Sequence, residues 1–127
     1  MSACASGLHS APHSAAYDRL TRLLNDIIRA GGADASMGLH LGAVFQRAGL
    51  ARPVMQLQAV VEGGPGAAIY GYMAESLRRV LPLGRVLGVA GADQVDIDRL
   101  EAELRAEVMA SGGVLVSPPI VAAWAMV

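Results

Sequence analysis

The last charged residue of the chain is Glu107, and the stretch that follows, "VMASGGVLVSPPIVAAWAMV", carries no ionisable side chain at all. Its length approaches that of a membrane span, but Gly112-Gly113 and Pro118-Pro119 interrupt it where a spanning helix needs unbroken hydrogen bonding. The pattern therefore predicts a strand at "VLV", a Pro-Pro turn or bulge, and a second strand at "IVAAWAMV". Both faces of that last segment are too apolar for a solvated edge strand, so it needs a neighbour on each side. Everything else in the chain has to be read against that demand.

One further strand is predicted, over 54–61. In "PVMQLQAVVEG", Met55, Leu57, Ala59 and Val61 alternate with Gln56 and Gln58, which describes a strand with one buried face. Two strands make a marginal ribbon, and no internal repeat supplies more. The terminal segment is thus expected either to pair across a subunit boundary or to belong to a larger sheet.

The rest reads as helix. Tyr17, Leu20, Leu23, Leu24, Ile27 and Ile28 follow helical spacing up to a stop at Gly31-Gly32. A second helix is capped by Asp34 or Ser36, carries Met37, Leu41, Val44 and Phe45 near one face, and ends at Gly49. A third stripe, Ile69, Met73, Leu77, Val80 and Leu81, is expected to break or bend at Pro82. The fourth has Asp98 and Glu101 at capping-box spacing and a stripe of Leu100, Leu104 and Val108, with Arg99/Glu103 and Glu101/Arg105 placed for ion pairs, and closes at Gly112-Gly113. Residues 1–14 are small and polar without a period, and are expected to form a flexible arm ahead of a single domain over 15–127.

Composition narrows the function classes. The chain has 127 residues, enough for one domain with its own core, and a formal charge of -1. All ten basic residues are Arg, scattered from Arg19 to Arg105 without a cluster, which argues against nucleic acid or an anionic membrane as partner. Hydrophobic residues make up 54% and aromatics only 4%, so the core is aliphatic and the chain globular. Cys4 is the single cysteine, which excludes an intrachain disulfide and makes the cytoplasm the default location; no secretory signal is recognisable.

No motif announces a reaction. "EGGPGAAIYG" lies between a strand and a helix, where Gly-rich loops can cradle phosphate, but it lacks the third small position and a P-loop Lys, and Pro65 removes a donor. A connecting loop is the better reading. Cys4, His9 and His13 have no fourth ligand at suitable spacing, so no metal site is expected. The candidates for proton transfer are His40, Tyr70 and Tyr72. The candidates for lining a hydrophobic pocket are Met37, Phe45, Met73 and Trp124.

From about Tyr17 onward the chain resembles a known family. "DASMGLHLGAVFQRAGLARP" and "AESLRRVLPLGRVLGVAGADQVDIDRLEAELRAEVMASGGVLVSPPIVAAWA" are similar to the C-terminal, substrate-covering portion of class I S-adenosylmethionine-dependent methyltransferases of specialised metabolism. The resemblance covers roughly 110 residues. It implies a helical substrate cover, the sixth strand of the family's sheet, a helical segment, and a seventh strand inserted antiparallel between the fifth and sixth. It would thus account for the apolar terminus. The family's cofactor-binding strand, Gly-rich turn and acidic ribose-binding position have no counterpart before Tyr17, so no cofactor is expected and no cofactor residue carries over.

These readings combine into one expectation. The fold is α+β, with about four helices on a small antiparallel sheet completed by dimerisation, a methyltransferase C-terminal half-fold. The function is that of a truncated methyltransferase-like protein that binds a small hydrophobic molecule or assists a pathway enzyme, without autonomous methyl transfer. Two alternatives stay open: a cofactor-independent cyclase or isomerase using the old substrate pocket, and a subunit of a heteromeric methyltransferase. The partner is a second copy or another chain, met through strand edges.

Overall fold

Ser14 starts the first long helix because its backbone is extended and its Oγ accepts the N–H of Tyr17. The computed structural model describes residues 9–32, 40–118 and, through their backbone, 120–124. Helix α1, Ala15–Ala30, buries Tyr17, Leu20, Leu23, Leu24 and Ile27 along one face, as their spacing predicts. Helix α2, Leu41–Arg47, is short and buries no residue; its expected start at Asp34 or Ser36 lies outside the described residues. Helix α3 is Ile69–Val86 and helix α4 is Ile97–Ser111.

Two sequence expectations about helix ends are sharpened. Of the break or bend expected at Pro82, the break does not occur, and helix α3 runs through to Val86. Pro82 is exposed, so the carbonyl it leaves unpaired one turn back can face water, while Leu81 and Gly84 on either side are buried and hold the last turn. Gly84 makes that packing possible: a Cβ there would lie 2.6 Å from Ile27 Cδ1 of α1. The cap of α4 is Asp96, whose carboxylate accepts the N–H of Arg99 at 3.2 Å, so Asp98 sits inside the first turn and pairs with Arg78. At the other end Gly112 takes a left-handed conformation with φ of 65°, which ends the helix as the sequence suggests.

Helices α1, α3 and α4 pack against one another and form the core. Its largest fully buried side chains include Leu20, Ile27, Met73, Leu77 and Leu104, each contributing about 1.5–3 kcal/mol by burial. Strands β1 (Ser10–Ala11), β3 (Val61–Glu62) and β4 (Val114–Val116) form a three-stranded antiparallel sheet in the order β1-β4-β3. Leu115, at the centre of β4, belongs to the same core. The chain is thus α+β, with four helices and a small antiparallel sheet among the described residues.

Of the expected N-terminal arm, residues 1–8 lie outside the described residues, and strand β1 gives part of the remainder a place in the sheet. Residues 9–14 are docked: Ser10 and Ala11 pair with Leu115 and Val114, and the Val116 N–H donates to the His9 carbonyl at 2.9 Å. Two residues carry no readable period, so a strand of this length is invisible to pattern.

The predicted strand over 54–61 appears as β2 (Val54–Gln58) followed by β3, and the predicted terminal strands appear as β4 and β5 (Ile120–Trp124). β2 and β5 pair antiparallel in a separate two-stranded sheet, with Val54 opposite Trp124 and Gln58 opposite Ile120. Between the sheets the frame shifts by one residue. At the shift Ser117 N donates to the Val60 carbonyl and Val60 N donates to Ser117 Oγ, both at 2.8 Å. Of the Pro-Pro turn or bulge expected from sequence, Pro119 lies outside the described residues.

Candidate interaction surface

The β2–β5 ribbon departs most from what the sequence implies. Met55 and Leu57 alternate with Gln56 and Gln58 as predicted, yet the face they should bury is 39 and 61% exposed at those positions. Val54 is more than half exposed too, and every residue of β2 is exposed; beyond the bulge, Val60 and Val61 are exposed as well. Among the described residues each strand of the ribbon pairs with only one neighbour, so the outer edges of β2 and β5 both lack a strand. Helix α2 runs beside it, with Gly42 near Met55 Sδ, and adds the exposed Val44. Aliphatic side chains are thus exposed along β2, and among the described residues the outer edges of β2 and β5 are open to strand addition.

The edges differ. β2 is preceded by Arg52 and Pro53 and carries Gln56 and Gln58, polar devices that discourage strand addition. β5 also follows prolines, Pro118-Pro119, but it carries no polar or charged residue, since no charge follows Glu107.

The residues proposed for proton transfer do not converge. Tyr70 is fully buried, its hydroxyl donates to the Gly64 carbonyl at 2.9 Å, and the Arg105 guanidinium lies 4.7 Å from its ring centroid. Tyr72, two residues further along the helix and so about 200° around it, is 62% exposed. His40 occupies the N-cap position of α2, also exposed, without capping that helix through its side chain. Of the residues proposed to line a pocket, two have described side chains. Met73 is fully buried in the core, Phe45 is partly exposed on α2, Trp124 pairs with Val54 through its backbone, and Met37 lies outside the described residues. Position-by-position reading finds residue types; only the packing decides which of them share a space.

Tyr70 and Arg105 also settle the role of the Gly-rich loop. Arg105 Nη1 donates to the Pro65 carbonyl at 3.1 Å, so two side chains hold the loop by its carbonyls, as a connection between β3 and α3.

A polar cluster that sequence reasoning missed joins β1, α1, α4 and β4. Tyr17 donates its hydroxyl to the Val116 carbonyl at 2.6 Å, and burial pushes that phenol up to about 12. The His9 ring stacks on Tyr17 at 4.5 Å with Nε2 3.0 Å from Thr21 Oγ1, and burial holds it below its ordinary value of 6.5. Ser14 Oγ donates to Glu107 Oε1 at 2.8 Å, and the same oxygen accepts the Ala16 N–H at 3.2 Å. Every one of these groups has a partner within the protein, which assigns the cluster to architecture. Among the described residues no three His, Cys, Asp or Glu side chains are grouped to hold a metal ion, and no helix is long and apolar enough to cross a membrane.

No known family model, curated protein or solved structure matches this chain.

Proposed function

We propose that the chain is an assembly module of a methyltransferase-like protein in small-molecule metabolism, acting through the β2–β5 ribbon, which a second copy covers. The observation that carries this reading is the exposure of Met55 and Leu57 on β2, a strand whose alternation is that of a buried face. Two further features support it. The order of helices, strand, helices and strand, with β5 antiparallel to β2, is in line with the order that the resemblance to the methyltransferase C-terminal portion implies. The outer edge of β5 carries no charge, so two copies meeting there encounter no like-charge repulsion. In this reading the chain contributes a cover and a joining surface, and methyl transfer requires cofactor-binding strands from elsewhere.

The test is mass in solution, by sedimentation or by chromatography with light scattering, on the whole chain and on Leu57→Glu. A dimer that L57E converts to a monomer with unchanged helical circular dichroism is the expected result. A monomer across the micromolar range sinks the self-association. If mass rises only when a cofactor-binding methyltransferase chain is added, the heteromeric alternative replaces it. Saturable heat on titration of the isolated chain with S-adenosylmethionine would contradict the accessory role.

A further inference from the structure

Away from the ribbon, a recess of about 490 Å³ lies between α1 and α4, bordered by the turn over residues 90–96. That volume is in the range of small organic ligands. Its floor is apolar: Leu23 and Leu100 are buried members of the core, and Val95 packs against them. Its rim holds three guanidiniums, those of Arg19, Arg22 and Arg99.

The rim is uneven in charge. At one end Arg19 and Arg99 reach from opposite walls to a single carboxylate, Glu103, with Arg99 Nε at 3.3 Å. Each guanidinium has five N–H donors, so most of theirs are unused there, and two positive charges share one negative. At the other end Arg22 pairs with Asp18 at 3.1 Å, and Asp26 follows one turn along the same helix. Asp96 also lines the recess, where its charged carboxylate accepts the Arg99 backbone N–H as the cap of α4. The unused guanidinium donors are therefore gathered at the Arg19–Arg99 end. Planar guanidinium forks are suited to carboxylates, which they can bind through two parallel hydrogen bonds.

We infer that this recess binds a small amphipathic carboxylic acid. Its apolar body rests on Leu23, Val95 and Leu100, and its carboxylate takes the spare donors of Arg19 and Arg99. The site is independent of the ribbon, and its existence does not depend on the oligomeric state.

The experiment is calorimetric titration of the full chain with 1-naphthoate and with the neutral 1-naphthalenemethanol, paired with amide shift mapping by NMR. The acid should bind saturably and shift the Gly91 and Val95 amides, and the alcohol should bind at least about tenfold more weakly, equivalent to about 1.4 kcal/mol. Arg19→Gln and Arg99→Gln, both at exposed positions, should each weaken the acid by a similar factor while leaving the alcohol and the circular dichroism unchanged. Equal binding of acid and alcohol, shifts confined to other residues, an acid affinity untouched by R19Q and R99Q, or no saturable binding at all overturns the inference.

Discussion

Helix α3 and strand β2 draw on the same aliphatic residue types, but Met73 and Leu77 are fully buried while Met55 and Leu57 are exposed. Each strand of the ribbon has its backbone pairing along one side, from Val54 opposite Trp124 to Gln58 opposite Ile120. What it lacks is a surface to pack against. The contrast separates two terms that are often treated as one: pairing satisfies backbone groups, but burial supplies most of the drive to fold, and a two-stranded ribbon alone has little of it. The core lies in the helical body, and the ribbon is joined to it through the hydrogen bonds between Val60 and Ser117.

The largest expected difference is between a leucine of each region. Leu104→Ala removes a fully buried side chain and should cost about 2–5 kcal/mol in urea unfolding. Leu57→Ala should change the stability of the monomer by no more than about 0.5 kcal/mol, because the side chain is already in water. Comparable losses from both would erase the distinction drawn here.

Next in size is the joint between helix and sheet. Tyr17→Phe leaves the Val116 carbonyl without its donor and should cost about 1–3 kcal/mol. It should also remove an alkaline slope. The phenol ionises near 10 in an unfolded chain and near 12 in the fold, so between those values only the unfolded state has released the proton. The contribution is complete below pH 10 and declines as pH rises through 12, and stability of the Phe variant measured over that window should be flatter.

Ser14→Ala comes third, at about 1 kcal/mol, since it deletes the cap of α1 and one of the two hydrogen bonds that Glu107 accepts there. Thermal unfolding at neutral pH measures it. The smallest effect is at His9. Its folded value lies below 6.5, so as pH falls the unfolded chain takes up the proton first, and the stability it contributes is present above 6.5 and lost as pH drops through the folded value. Faster exchange of the Leu115 and Val116 amides at mildly acidic pH, absent in His9→Gln, is the expected signature.

Much of this architecture was legible in the sequence, for reasons that particular residues make plain. The stripe Tyr17, Leu20, Leu23, Leu24, Ile27 gave α1, because a helix that buries one face must repeat apolar residues every three to four positions. The ion pairs Arg99–Glu103 and Glu101–Arg105 formed as spaced, at 3.3 and 3.2 Å. Strand β1 was not legible, because its two residues are defined only by β4, which follows a hundred positions later. Asp96 was passed over for Asp98 because both satisfy the local cap rule and only the observed extended backbone at 96 selects one. The candidate site was the least legible part. Tyr70 and Tyr72 are adjacent in pattern and on different sides of the helix in fact, and the convergence of Arg19 and Arg99 is a product of how α1 meets α4.

The one-residue offset between the Val61–Val116 and Gln58–Ile120 pairs uncouples the two ends of the final strand. A residue gained or lost within 117–119 would reverse which side of the ribbon each position from Ile120 to Trp124 occupies, while the pairs beside Leu115 kept their frame. Mutation can therefore recast the outward-facing surface of this protein in a single step without disturbing the interior that supports it.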